Sequence, residues 1–373
     1  MQFKLGTFSA IGASGARHEV AGASPAGGPS GRAFPGMVLT DLASRPGAAS
    51  GASPAPDCVI PLARLTPLLT RLNLQLRHPD SLLSLLTEWD NNFQTLAILC
   101  ASAPEELARA ATPVDDLRTH APINPPRQIF CTVANFRSHV VESIVDYGVA
   151  PHTDAMDTAA RIAYANKVIE ERLKGAPYVC FKLPSTVIGP TDPLEIPRHV
   201  QRLDWELELG VVIGRAARRV SRANAMNHVA GYVMVNDITA RDMVRRTDVP
   251  AMGTDWLQSK NGPGFLPMGP YFVPAAFRPD PYSLRLTLAL NDSPMQDALT
   301  SDMLFDIGAQ IEYISQHAQL LPGDVICTGT PAGCGTHYRR YLQPGDVIHA
   351  NVAELGTQHT PCVSAPTDAS HRE

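Results

Sequence analysis

The run DWELELGVVIG, residues 204–214, sets the tightest limit on what this chain can fold into. In an extended strand alternate side chains share a face, so Asp204, Glu206 and Glu208 point one way while Trp205, Leu207 and Leu209 point the other. The second face suits a core. The first carries like charges that repel, and burying them without compensation costs on the order of several kcal/mol. That face is therefore either open to solvent or covered by a cation. A second acidic stretch bears on the choice. GYVMVNDITARD, residues 231–242, reads as an apolar strand that stops at Asn236 and Asp237 and turns into a helix. Asp237 is then either a helix N-cap or a third carboxylate held rigidly beside the first two.

Composition removes several classes of function. A formal net charge of -5, with charges scattered rather than in runs, gives no basic field for nucleic acid or an anionic membrane. The seven cysteines (58, 100, 131, 180, 327, 334 and 362) form no CxxC pair and no regular spacing, which argues against zinc ribbons and disulfide frameworks and fits a reducing cytoplasm. The opening segment has one lysine, Lys4, and no leucine-rich block, and no run of 18 apolar residues occurs, so neither a signal peptide nor a membrane span is expected.

A chain of 373 residues exceeds one ordinary core, so two domains are expected. Residues 3–9 read as an opening strand, and residues 21–56, dense in Gly, Ala, Ser and Pro, as turns or loop. Leucines at helical spacing from Ile60 to Leu99 indicate packing helices of a small N-terminal domain, residues 1–125. The proline-rich APINPPR, 121–127, marks the boundary. Short β-branched runs then dominate residues 126–360, which predicts a compact, mostly β domain, with a helical insertion at 143–177 whose helix spans Asp154 to Lys174. Residues 361–373 read as a flexible tail.

The two acidic motifs resemble the signature of the fumarylacetoacetate hydrolase superfamily, and TVANFRSHVVE (132–142), FKLPSTVIGP (181–190), FLPMGP (265–270) and PGDVICTGTPAGCG (322–335) agree in order. The resemblance covers the region after residue 126 and implies an α+β protein whose catalytic domain is a mixed β-roll, beside a smaller N-terminal α/β domain. It implies Glu206, Glu208 and Asp237 as ligands of one divalent cation, His139 as general base with Glu142 as its partner, Lys260 as a catalytic group that binds or polarises the substrate, and Arg241 as one that contacts the substrate or braces the site. Thr330, in the turn GTPAG, is expected to offer its hydroxyl and backbone amide to a substrate carboxylate. Thr132 stands where true fumarylacetoacetases have a fourth carboxylate ligand, which weighs against fumarylacetoacetate itself as the substrate.

An all-carboxylate site suits a hard cation, Mg²⁺ first, with Mn²⁺ or Ca²⁺ as alternatives. The expected reaction is hydrolytic cleavage of a carbon–carbon bond in a β-diketone or acylpyruvate-like oxo acid. Decarboxylation, hydration or isomerisation of a 2-oxo acid on the same site is the alternative, and a noncatalytic small-molecule binding protein a further one. The expected partner is a small oxo acid or diketone, the expected assembly a homodimer. The insertion helix, following the base directly, is expected to act as a lid or pocket wall.

Overall fold

The computed structural model describes residues 2–11, 31–39, 57–147, 153 and 155–366. Its N-terminal part is an antiparallel five-stranded sheet in the order Thr112–Pro113, Cys58–Pro61, Phe34–Leu39, Phe3–Ala10, Leu117–His120. The strand Phe34–Leu39 lies inside the stretch expected to be loop, most of which falls outside the described residues. Pro35 and Gly36 argue locally against a strand, but Phe3–Ala10 on one side and Cys58–Pro61 on the other supply partners, and Met37, Val38 and Leu39 gain complete burial. Tertiary pairing overrides local propensity here.

The leucine-rich segment forms short helices, among them Thr66–Arg71, Leu82–Leu86 and Trp89–Ser102. Leu65, Leu85, Leu96 and Leu99 are fully buried, each worth about 1.5–3 kcal/mol on removal from water. They share one apolar cluster with Phe3, Leu5 and Met37 and also with Val212, Val233 and Val235 of the catalytic sheet. Leu5 exchanges backbone hydrogen bonds with Phe272 at 2.9 and 2.8 Å. The N-terminal part thus buries its apolar face on the catalytic part.

That catalytic part contains a six-stranded mixed sheet in the order Val273–Pro274, Val229–Asn236, Leu207–Ile213, Val325–Cys327, Ile129–Thr132, Val179–Lys182. A five-stranded sheet runs in the order Ser293–Leu299, Arg285–Leu290, Val347–Val352, Gly356–Ser364, Leu194–Ile196. Side chains from both, such as Leu207, Leu209, Leu286 and Ile348, meet in a second large apolar cluster around the fully buried Trp205. The last strand runs to Ser364, with Cys362 paired to Leu194, so the tail does not begin at 361. Pro361 and the polar residues around it hide the strand in the sequence, while Thr360 and Cys362 alternate into the core.

The insertion helix spans Thr158–Leu173, later than expected, because Asp157 caps it by accepting from the Ala160 amide at 2.8 Å. Its Ala165 and Ile169 pack against Val140 and Ile144 of the helix Arg137–Tyr147. Among the described residues no helix is long and apolar enough to cross a membrane.

Candidate active site

The strand Leu207–Ile213 pairs antiparallel with Val229–Asn236, Leu207 opposite Asn236. Glu206 and Glu208 therefore flank the point where Asp237 leaves its own strand. Two hydrogen bonds lock this corner: the Asp237 amide donates to the Glu206 carbonyl, and the Glu206 amide donates to Asn236 Oδ1, each at 2.8 Å. Glu206, Glu208 and Asp237 are only 6%, 2% and 1% exposed, and an oxygen from each lies within 4.8 Å of the others. The solvent-facing alternative is removed by that burial.

Two local expectations differ. Asp237 caps no helix, since the chain continues as the short strand Thr239–Ala240 and the turn Arg241–Met243. Asp204 does not join the cluster of three. Its carboxylate accepts from the amides of Trp205, Gly335 and Thr336, the Thr336 hydroxyl and Arg241 Nε. The even alternation fails because Trp205 and Glu206 interrupt regular strand between Asp204 and Leu207.

The acidic motifs hold no lysine that could neutralise them, yet the fold brings basic groups in. Lys260 Nζ lies 2.6 Å from both Glu206 Oε2 and Asp237 Oδ2. Lys182 Nζ donates to Asp237 Oδ1 at 2.5 Å and to the Ile238 carbonyl at 3.0 Å. Arg241 bridges Asp204 and Glu206 at 2.8 and 2.7 Å. Burial by itself would raise the Glu206 carboxyl, but Lys260 and Arg241, with a smaller contribution from His139, hold it down to about 2. Burial likewise disfavours the charged Lys260, and Asp237 with Glu206 overturns that, raising it well above the usual lysine range. The two carboxylates thus favour the ammonium form of Lys260.

One negative charge is left over. Asp204, Glu206, Glu208 and Asp237 formally carry one more charge than Lys182, Lys260 and Arg241 neutralise. The excess falls on Glu208, whose hydrogen-bond donor is the Gly329 amide at 2.7 Å. Burial first, then Asp237 and Glu206, push its carboxyl well above the ordinary range. Converging hard oxygen donors with unbalanced negative charge fit a divalent cation, and Glu206, Glu208 and Asp237 are the residues that would hold it.

The helix Arg137–Tyr147 presents His139 and Glu142, three residues apart on one face. Its first turn is fixed by Ser138, whose amide and hydroxyl donate to Asp302 at 2.9 and 2.6 Å. His139 Nδ1 stands 3.9 Å from Glu142 Oε2, too long for a hydrogen bond. Glu142 is instead held by the Gly333 amide, at 2.8 and 3.1 Å to its two oxygens.

One loop, Gly329 to Gly335, connects the two halves of the site. Its amides donate to Glu208 from Gly329, to Ser138 from Ala332, to Glu142 from Gly333 and to Asp204 from Gly335. Gly333 has φ 94°, and a Cβ there would fall 2.0 Å from the Met295 carbonyl oxygen, so only glycine allows this path. Thr330 sits in the loop, but its hydroxyl donates to the Leu207 carbonyl at 3.0 Å and accepts from Gln296 at 2.9 Å. That hydroxyl braces the carboxylate strand. Thr132 donates to Gln310 at 2.7 Å.

Sequence reasoning overlooked Lys182, Gln296, Asp146 and His337. For Lys182 the signal was misleading, since in VCFK the aromatic looks like the inward residue, whereas Phe181 is 63% exposed and Lys182 2%. For Asp146 a signal was present, four residues after Glu142 on the same helix face. A cavity of about 490 Å³ has Glu142, Asp146 and His337 in its wall together with Ile162 of the insertion helix, and none of the three clustered carboxylates lines it.

The model of the fumarylacetoacetate (FAA) hydrolase C-terminal family matches residues 128–363. The mitochondrial oxaloacetate tautomerase fahd2 of Xenopus laevis is 32% identical over 245 residues, 65% of this chain and 67% of that one. A 2,4-didehydro-3-deoxy-L-rhamnonate hydrolase of Sphingomonas is 36% identical over 224 residues, 59% of this chain and 77% of that one. Among solved structures, the fumarylacetoacetate hydrolase of the psychrophile Exiguobacterium antarcticum is 27% identical, covering 97% of this chain and 100% of its own with a TM-score of 0.62. With a family match that spans both acidic motifs, the dyad helix and the glycine loop, the chain belongs to the fumarylacetoacetate hydrolase family.

Proposed function

We propose that this chain is a divalent-cation-dependent enzyme that hydrolyses a carbon–carbon bond in an acylpyruvate-like oxo acid or β-diketone. The observation that carries the reading is the Gly329–Gly335 loop, which fastens Glu208 of the carboxylate cluster and Glu142 of the His139 pair to one support. A base and a cation site held by the same backbone keep a fixed relation, as a reaction at adjoining carbonyls requires.

A divalent cation at Glu206, Glu208 and Asp237, Mg²⁺ first and Mn²⁺ or Ca²⁺ as alternatives, supplies the positive charge that a developing enolate oxygen needs. His139 has Nδ1 towards Glu142, leaving Nε2 to take a proton from water. The hydroxide equivalent adds to the distal carbonyl, the bond to the pyruvyl carbon breaks, and its electron pair becomes the enolate, which regains the proton from His139. Lys260 and Arg241 stay cationic throughout and hold Glu206 ionised.

A second reading, enol–keto tautomerisation of an oxo acid, is favoured by the likeness to an oxaloacetate tautomerase, and it needs His139 only to accept and return one proton. Turnover in ¹⁸O-labelled water separates the two. Label in a new carboxylate from an acylpyruvate supports hydrolysis, whereas tautomerisation of oxaloacetate with no cleavage of any diketone overturns it. The homodimer expected from the sequence belongs to the proposal, supported by the sheet-edge strand Val179–Lys182, where Phe181 and the adjoining Tyr178 are exposed. Sedimentation as a monomer contradicts it.

A further inference from the structure

Glu142 is shared. One oxygen stands 3.9 Å from His139 Nδ1, and the other lies 3.5 Å from His337 Nδ1. The same His337 nitrogen is 2.5 Å from Asp146 Oδ2, one helical turn beyond Glu142. The four groups form a row, His139, Glu142, His337, Asp146, that starts inside the site and ends at the wall of the 490 Å³ cavity. His337 reaches this place because the helix Gly335–Tyr338 begins where the glycine loop ends, and its amide donates to the Cys334 carbonyl at 2.9 Å.

We propose that His337 is a positioning residue, anchored by Asp146, which keeps Glu142 turned between the Gly333 amide and His139. The inference rests on the reading of His139 and Glu142 as the reacting dyad. The physical reason is local charge. Glu142 has one weak contact with His139 and an amide for compensation, and without a cation behind it a second carboxylate, Asp146, would face the same space. An imidazolium between the two carboxylates satisfies both. The hydrogen bond to Asp146 is the main reason that His337 is raised above the ordinary imidazole range, with Glu142 adding to it against the opposing effect of burial. The other charged or titratable groups near it are Arg137 and Asp302 along the cavity, Tyr338 against its ring, and Cys334 beside His139.

The test uses whichever of acylpyruvate hydrolysis or oxaloacetate tautomerisation the enzyme catalyses. His337→Gln should lower kcat about tenfold with KM within about twofold and Mg²⁺ affinity unchanged. It should also move the acid limb of the kcat profile, because a cation facing Glu142 at 3.5 Å is lost. Asp146→Asn should act in the same direction, and His337→Lys, which restores a cation, should bring the limb back. An unchanged kcat and acid limb in His337→Gln overturns the inference. Failure of the dyad reading looks different, as full turnover in His139→Ala. Independently of turnover, ¹⁵N NMR of the His337 ring should show its titration midpoint falling in Glu142→Gln, and a midpoint that does not move contradicts the coupling.

Discussion

Replacing Lys260 by methionine keeps the side-chain length and removes the ammonium that lies 2.6 Å from both Glu206 and Asp237. The side chain is 5% exposed, so water cannot take over its role. Removing one partner of a buried ion pair costs about 3–5 kcal/mol, a large part of the roughly 5–15 kcal/mol that holds a typical domain folded. The excess negative charge of the site grows by one, and that sharpens the expectation. A unit charge about 4 Å away at an effective dielectric constant near 20 is worth about 4 kcal/mol, so a divalent cation should bind the variant more tightly than the wild type. Ligand linkage returns that difference as stability, about 2.7 kcal/mol for ligand at 100 times its Kd. Urea unfolding of both proteins, in EDTA and in saturating Mg²⁺, is the assay. Lys260→Met should lose about 3–5 kcal/mol in EDTA and at least about 1 kcal/mol less than that in Mg²⁺. Equal losses in the two buffers, or under about 1 kcal/mol in EDTA, would refute the charge argument.

Other consequences follow from single contacts. Gly333→Ala combines a positive φ with a Cβ 2.0 Å from the Met295 carbonyl oxygen, so it should lower Tm well beyond Gly345→Ala, whose φ is also positive but whose Cβ meets nothing within 4 Å. Comparable Tm values for the two variants would contradict the packing of the loop. Glu206 is held near 2 in the fold against an ordinary 4.5, so its contribution is fully present above about pH 4.5 and lost as the pH falls towards 2. Wild type should therefore lose about 2 kcal/mol more than Glu206→Gln between pH 6 and pH 3 in urea unfolding, and parallel curves would be wrong for this site. Ile162→Ala alters the cavity wall without touching the carboxylates, and should change KM severalfold while kcat and Mg²⁺ affinity hold. Unchanged KM across oxo acids would remove the lid role from the insertion helix.

The acidic motifs were legible because they combine two signals in one strand, apolar residues on the core face and carboxylates where a strand end meets a turn. What composition could not supply was the compensation. Lys182 and Lys260 reach the carboxylates from segments outside both motifs, Arg241 stands at the end of the second, and nothing in DWELELG announces them. The strand Phe34–Leu39 was hidden by Pro35 and Gly36, and the end of Gly356–Ser364 by Pro361, because pairing partners far along the chain decide both. The helix Thr158–Leu173 was visible from its helix-forming residues, and only its start was misplaced, Asp157 being one of two acidic residues, with Asp154, that the sequence offers as its cap. Thr330 has a contact that its sequence setting does not announce. A hydroxyl in a glycine-rich turn suggests a ligand, yet its bonds to Leu207 and Gln296 serve the strand.

The central claim is that Glu206, Glu208 and Asp237 together hold one divalent cation, and titration calorimetry with Mg²⁺ and Mn²⁺ on the metal-stripped protein tests it most directly. The wild type should bind one equivalent of either ion, and Glu206→Ala should show no binding heat while its circular dichroism stays that of the folded protein. Unchanged affinity in Glu206→Ala would contradict the assignment.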